Sequence, residues 1–399
     1  MNFELSDEQK EFSESFRGFC SKEIGPRSEE FDEKGEVSRD VFRKLGEVGY
    51  NGLLHLTKYG GSNAGYMMAI LAQEILAEYC GSTFFSVGAS SGLFGLPISE
   101  FGTEEQKSKY LPPVIRGERV GALGVTEPDA GSDVSAVRSN VKSTGNKLLL
   151  NGQKTYITNA PIADYILILA NLEDSNQKKK GLTAFIVDAS KVGVTKGKPM
   201  KKMGLKGSPT GELFFDNVEL SENDILGRPG RGFQIIMDAF NRERISLAAY
   251  STGVMAACIA ESRAFSRTRK TFGRPIYKHQ AVAFMLADMY VKYQAARVVL
   301  HETAWMMDEY SIKREDGARH FHNGYPVDLT AKTSTVKLLA STHAREVCNL
   351  AVQVHGGAGY MEEYKVARLY RDIKLAEIGG GTSEIQKQII AHAEAKRIK

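Results

Sequence analysis

Cysteine is scarce in this 399-residue chain, and its four cysteines, Cys20, Cys80, Cys258 and Cys348, stand far apart with no two at metal-ligand spacing. That argues against a disulfide framework or a cysteine zinc site and predicts four reduced, packed thiols. An excess of one charge sign is also lacking: 52 basic and 48 acidic side chains give a formal net charge of +4 and form no blocks. Nothing therefore marks a nucleic-acid or membrane-surface partner. No apolar run approaches the roughly 20 residues of a membrane span. The opening stretch MNFELSDEQKEF has no basic leader followed by an apolar run, and no acid-poor, Arg/Ser-rich character. Neither secretion nor organelle import is signalled, and a cytoplasmic location is expected. No Gly-x-Gly-x-x-Gly follows a predicted strand, so the usual Rossmann mode of holding a nicotinamide dinucleotide is not expected.

What is present reads as a soluble α+β protein in three parts, since 399 residues exceed what one core supports. Residues 1–120 predict an N-terminal helical bundle. Ser6 with Gln9, and Thr103 with Gln106, form two capping boxes. After the first, Phe12, Phe16, Phe19 and Cys20 share one helical face; after the second, Pro112 and Pro113 are expected to end the helix. The stretch GYMMAILAQEILAEYCGSTFFSVGASSGLFGL is too continuously apolar for surface helices and predicts a buried pair. From 121 to 228, short β-type runs predict an antiparallel, barrel-like β domain, with Asn151-Gly152 as its strongest hairpin turn. From 229 to 399 the pattern returns to helices, at about 231–267, 277–310, 329–354 and 383–397, with a polar loop at 311–328.

Four segments concentrate residues for which a plain fold has little use. GVTEPDAGSDVS, 124–135, leaves a strand and offers Thr126, Ser132 and free backbone N–H groups, a combination that binds anions and polar ring edges or simply turns the chain. KTYITNA, 154–160, presents Tyr156 and Thr158 on one strand face. RTRKTFGRPIYKHQ, 267–280, carries five cationic side chains and His279 around a glycine, suited to a diphosphate or to a solvated basic face. QVHGGAGY, 353–360, and AEIGGGTSEIQ, 376–386, are glycine-rich. In the latter, Ser383 and Gln386 read as a capping box, so the glycines lie at a helix N-terminus, where unpaired N–H groups favour an anion or a polarised carbonyl oxygen. His320 and His322 make an HxH in the polar loop, with no acidic or cysteine cluster to complete a metal site.

In order and spacing these segments resemble those of the acyl-CoA dehydrogenase family of flavoenzymes, over nearly the whole chain. The resemblance implies FAD. Leu123, Val125, Thr126, Gly131 and Ser132 would line the flavin, with Tyr156, Ile157 and Thr158 against its ring and Thr382 and Glu384 completing the site. Arg269, Thr271, Phe272 and Gln280, with Gln353, Gly356 and Gly357, would hold the diphosphate and adenine end of a neighbouring subunit's cofactor, which implies a homotetramer built as a dimer of dimers. Ser132, Asn241, Arg244, Gly379 and Gly381 would meet the substrate, Arg244 at its CoA moiety, and an electron-transferring flavoprotein would take the electrons.

One departure redirects the chemistry. Many members carry the catalytic Glu directly before the Gly-Thr, and here that slot is Gly380, which keeps only its N–H for the thioester oxygen. The isovaleryl-CoA and long-chain branch takes its base from another helix, and the residue that matches it in FNRERISLAAY is Glu243. At helical spacing Glu243 shares a face with Ile236, Ala239, Phe240, Leu247 and Tyr250, an apolar setting that should raise its pKa toward a base's range. Glu377 should face away from the ligand, and Glu384 lies in the following helix turn. The expected reaction is α,β-dehydrogenation of an acyl-CoA thioester. Gly379 leaves room for a short or branched, isovaleryl-like acyl chain. A carrier-protein-bound acyl group, O₂ as oxidant, and a non-catalytic acyl-CoA- or partner-binding protein are the other readings.

Overall fold

The computed structural model describes residues 4–144, 147–174, 179–311, 321–322 and 325–397. Most of the 311–328 loop, His320 included, lies outside them. Among the described residues no three His, Cys, Asp or Glu side chains gather as a metal site.

Seven helices open the chain: α1 (Asp7–Phe19), α2 (Ser28–Lys34), α3 (Arg39–Glu47), α4 (Gly65–Tyr79), α5 (Gly81–Val87), α6 (Leu96–Phe101) and α7 (Glu104–Ile115). Both predicted capping boxes form, Ser6 with Gln9 and Thr103 with Gln106. Phe16 stacks between Phe12 and Phe19 and against Tyr50. The prolines do not end α7: Pro112 and Pro113 lie inside it, and Arg116 N and Glu118 N still bond to Pro112 O and Pro113 O. Each proline removes a donor in the last turns but keeps a helical φ, so the helix runs on until Gly117 turns left-handed at φ +69°. The long apolar stretch forms α4, α5, a π-helical segment at Gly88–Gly95, and α6, which is more pieces than the expected pair.

Eight strands follow: β1 (Gly121–Gly124), β2 (Asn140–Thr144), β3 (Lys147–Thr158), β4 (Tyr165–Glu173), β5 (Lys179–Asp188), β6 (Val194–Lys196), β7 (Thr210–Leu220) and β8 (Ile225–Leu226). They make one sheet in the order β6-β7-β3-β2-β4-β5-β8, with β1 on β4. The sheet is not wholly antiparallel, because β1 and β2 both pair with β4 in parallel. Asn151-Gly152 is not a hairpin turn either; it sits within β3 at a register shift against β7. A Cβ on Gly152 would lie 2.2 Å from Ser139 Oγ, so the glycine serves a close approach of chains rather than a reversal.

The C-terminal part holds α8 (Gly232–Thr268), a small hairpin of β9 (Lys270–Thr271) and β10 (Arg274–Pro275), then α9 (Gln280–Ser311), α10 (Leu329–His355), α11 (Lys365–Asp372) and α12 (Ser383–Arg397). The periodicity missed only α11. By length and composition α8 could cross a membrane, yet 78% of its apolar window is buried inside the protein. Its neighbours explain the composition: α8 joins α4, α5, α9 and α10 in one core that merges the N-terminal and C-terminal helices. The four cysteine thiols are free and buried, and Cys258 and Cys348 lie 3.6 Å apart between α8 and α10.

The α4–α8 contact fixes the floor of this core. A Cβ on Gly253 would lie 2.3 Å from Glu74 O, so only glycine lets the two backbones touch. The Gly253→Ala variant should lose about 1–3 kcal/mol of stability, the usual cost of overpacking, read as a lower denaturant midpoint. An unchanged midpoint would show that the helices can part freely.

Candidate active site

A cavity of about 870 Å³ lies where the three parts meet. One wall is the β domain, through Leu123, Val125, Thr126, Gly131 and Ser132 and through Tyr156, Ile157 and Thr158. Opposite stand Phe240, Glu243, Arg244 and Leu247 of α8, with Gly379, Gly380, Gly381 and Thr382 of the glycine loop. The N-terminal helices close the end with His55, Gly88, Ser91 and Gly92 among others.

Glu243 is where α8 places a carboxylate into this space. Its helical face is apolar as expected, with Ile236, Ala239, Leu247 and Tyr250 all buried. A Cβ built on Gly380 would lie 3.5 Å from both Cδ and Oε2 of Glu243, so a side chain at 380 would meet the carboxylate in the cavity that both residues line. Burial pushes the Glu243 pKa up to about 7, against the opposing charges of Arg244 and Lys337. Lys337, fully buried on α10, is in turn pushed down to about 8 by burial, resisted by Glu243.

The glycine loop is held from behind. Gly380 O accepts from Gln386 Nε2 at 3.0 Å and from Arg244 Nε at 3.4 Å; Gly381 O accepts from Gln386 Nε2 and Lys337 Nζ, each at 2.8 Å. Gly380 and Gly381 take φ of +61° and +89°, which L side chains rarely adopt. A planar trans peptide sends its N–H opposite its C=O, so pinning these carbonyls also fixes the directions of the Gly381 and Thr382 N–H groups. The N-terminus of α12 differs in detail from the sequence reading. Thr382, not Ser383, caps it, its Oγ1 accepting from Ile385 N at 3.4 Å, because Gln386 is spent on the loop carbonyls instead of closing a capping box.

Among the remaining acids, Glu377 borders no part of the cavity and pairs with Arg345 and Lys374. Glu384 is exposed, its carboxyl held below the usual range by its own backbone N–H and the Thr382 hydroxyl. Arg244 borders the cavity but is 4% exposed and donates to Asn241 Oδ1 at 2.6 Å; Asn241, buried beneath it, donates to Thr330 Oγ1.

A second group of expected residues lies elsewhere. Arg269, Phe272, Gln280, Gln353, Gly356 and Gly357 are exposed, and Phe272, at the tip of the β9–β10 hairpin, is 96% accessible. Thr271 accompanies them, bonded to His279. They share one end of the bundle, where Phe265 of α8 stacks on His355 of α10 at 4.4 Å. Glu243 and Arg269 are 26 positions apart on the line of α8, roughly 39 Å at 1.5 Å per residue. One chain does not bring the two groups together.

Sequence reasoning missed several cavity residues. His55 is buried between Ser99 Oγ and Ser91 O, and burial pushes its pKa down to about 4. Lys337 carried a signal, a lysine among apolar residues in STVKLLAS, but nothing local indicated that its partner would be a glycine carbonyl.

Three family profiles match the chain in order: "Acyl-CoA dehydrogenase, N-terminal domain" at residues 6–118, "Acyl-CoA dehydrogenase, middle domain" at 122–218 and "Acyl-CoA dehydrogenase, C-terminal domain" at 230–394. The Bacillus subtilis (strain 168) protein named "Probable acyl-CoA dehydrogenase YngJ" is 39% identical over 391 residues, covering 98% of this chain and 99% of that protein. A mitochondrial isovaleryl-CoA dehydrogenase of Solanum tuberosum is 36% identical over 388 residues, covering 97% and 90%. The solved structure of butyryl-CoA dehydrogenase from Megasphaera elsdenii superposes with a TM-score of 0.90 at 35% identity, covering 99% of this chain and all of that one.

The raised pKa of Glu243 carries a stability consequence. An acid whose folded pKa lies above its unfolded value costs nothing when protonated in both states, and costs most when ionised in both. Glu243→Gln should therefore match the parent near pH 4 and unfold at a higher temperature above pH 7, the gap opening between about pH 4.5 and 7. Thermal melts across that range check it; a gap independent of pH would place the carboxylate in water.

Proposed function

The chain belongs to the acyl-CoA dehydrogenase family of flavoprotein oxidoreductases acting on acyl-CoA, and from that premise we propose that it oxidises the α,β bond of a short or branched acyl-CoA with Glu243 as the base. The observation that carries this reading is that the Glu243 carboxylate and the Gly380 loop line the same cavity, a Cβ at 380 falling 3.5 Å from the carboxylate, with the Glu243 pKa raised to about 7.

The residues present fit FAD. Thr126 N–H makes no hydrogen bond within the described residues, Gly131 has open space where a Cβ would stand, and Tyr156, at φ +58° and 69% exposed, holds a strained backbone at the cavity edge. Leu123, Val125, Thr126, Gly131, Ser132, Tyr156, Ile157, Thr158 and Thr382 would hold the ring system, with Glu384 beside Thr382 on its outer side. Bound there, FAD supplies the acceptor for the β-hydrogen as hydride. Arg269, Thr271, Phe272, Gln280, Gln353, Gly356 and Gly357 would serve the cofactor of a neighbouring chain in a homotetramer, which accounts for their distance from Glu243. An electron-transferring flavoprotein would be the acceptor.

The chain's own residues do the following. Glu243, ionised, takes the α-proton; its apolar face withholds water, so the base is not weakened by solvation. N–H groups of the Gly380–Thr382 turn would donate to the thioester oxygen as negative charge develops on it, and those of Gly381 and Thr382 are preorganised because the carbonyls in their peptide planes are already fixed by Gln386, Arg244 and Lys337. Ser132 borders the same space, and Arg244, with Asn241 beneath it, steadies the loop next to the substrate.

Space in the cavity supports the acyl preference. A Cβ on Gly379 would meet only Leu375, at ordinary contact distances, and those on Gly88 and Gly92 would meet nothing within 4 Å. These glycines leave width where larger side chains would narrow the tail region, as a branched acyl chain requires.

Three measurements test the reading. Glu243→Gln should keep its flavin and lose about 10²–10⁴-fold in turnover, and the parent's kcat/KM should rise with pH and level off above about 7, where Glu243 is ionised. Retained turnover, or a flat profile from pH 5 to 9, would exclude Glu243. Gly379→Phe should cut kcat/KM for isovaleryl-CoA at least tenfold more than for butyryl-CoA; equal losses would remove Gly379 from substrate selection.

A further inference from the structure

Behind the β wall of the cavity lies an ion pair with no part in the steps above. Lys154 of β3 is completely buried, and its ammonium makes three hydrogen bonds: to Glu127 Oε1 at 2.7 Å, Leu169 O at 2.7 Å and Val125 O at 3.2 Å. Glu127 is equally occupied, accepting also from Arg138 N at 2.6 Å and Ser139 N at 3.0 Å. The three N–H donors of the lysine are all used. Such a pair contributes little net stability, since desolvating two charges offsets their attraction, so its presence calls for another reason.

That reason lies in what the pair holds. Val125 and Glu127 belong to the loop 124–132, whose Val125, Thr126, Glu127, Gly131 and Ser132 border the cavity. Glu127 and Ala130 close the loop on each other through paired backbone bonds, and Thr126 O accepts from Thr155 N, next to Lys154. With Val125 O drawn inward to Lys154, the planar peptide sends the Thr126 N–H the opposite way, toward the cavity. We infer that Lys154 and Glu127 are positioning residues: they fix this loop so that its backbone donors meet the polar pyrimidine edge of the bound flavin.

The inference rests on the reading that the cavity holds FAD. Lys154→Met keeps a similar length but takes one donor from each of two carbonyls and removes the counter-charge of the Glu127 carboxylate. It should weaken FAD binding at least tenfold, measured by the fluorescence of released flavin, and shift the visible absorption of the flavin that stays bound. Lys154→Arg should restore part of both, and Glu127→Gln should change both in the same direction as Lys154→Met. Gln106→Ala, which removes a buried amide bonded to Asn223 O and Ile225 O away from the loop, serves as the structural control: it should lose stability without moving the flavin spectrum. Lys154→Met with the parent's affinity and spectrum overturns the inference; if that variant fails to fold, the same result in Glu127→Gln does so. A parent protein that binds no flavin would sink the functional reading instead.

Discussion

A carboxylate buried against an apolar helix face, within reach of a loop that offers only main-chain donors, is the constraint on which the rest of this structure turns. Left alone, such a charge would be expensive, and among the described residues no direct ion pair neutralises it. The protein sets two cations nearby instead and commits each to the glycine loop, Arg244 through Gly380 O and Lys337 through Gly381 O. Their charges restrain the rise in the Glu243 pKa without abolishing it, which leaves a carboxyl group that titrates near neutrality. The same two bonds fix the loop's peptide planes. One set of contacts therefore bears both on the proton affinity of the carboxylate and on the orientation of the loop's peptide planes.

The placement of that carboxylate depends on packing far from it. Glu243 can face the cavity because α8 is one unbroken helix clasped over most of its length, by α4 at Gly253, by α5 at Tyr250 and by α10. Gly253 and Gly81 are required by closeness: a Cβ on Gly81 would lie 2.8 Å from Leu205 and 3.0 Å from Tyr250. The β domain enters the same contact through Leu205, whose N–H donates to Asp372 of α11. A site made where three parts meet is only as well defined as those junctions.

Most of the architecture was legible because its signals are local. The Ser6–Gln9 and Thr103–Gln106 boxes, the period of α8 to α10 and the apolar β runs all report on neighbours within a few residues, and each appears in the structure. The readings that failed depended on distant partners. Asn151-Gly152 has the composition of a turn, but Ser139 lies where a Cβ would go, and that contact makes it a bulge. Ser383 and Gln386 have the spacing of a capping box, but the loop carbonyls claim the glutamine. Strand β2 exposes all but Val141 to some degree and so showed no alternation to read. Glu243 was found through the resemblance, with its apolar stripe as physical support; Lys154, Glu127 and Lys337 were not found, because a buried charge is visible only once its partners are known.

The vacancy at position 380 has its own logic. The family pattern often carries the base there, and the Gly380 Cβ position, 3.5 Å from the Glu243 carboxylate, shows that the two attachment points converge on one volume. Carboxylates from both would be like charges in a poorly solvated space, so one excludes the other. With the carboxylate on α8, a side chain at 380 would strike Leu247 Cδ1 at 2.7 Å and strain a φ of +61°, and glycine becomes the residue the geometry requires. Relieved of carrying an acid, the loop can take two left-handed residues in succession and turn its carbonyls back onto Gln386 and Lys337. A carboxylate on the helix and a glycine in the loop thus separate two tasks: α8 positions the carboxylate, and the loop is free to be shaped by its hydrogen bonds alone.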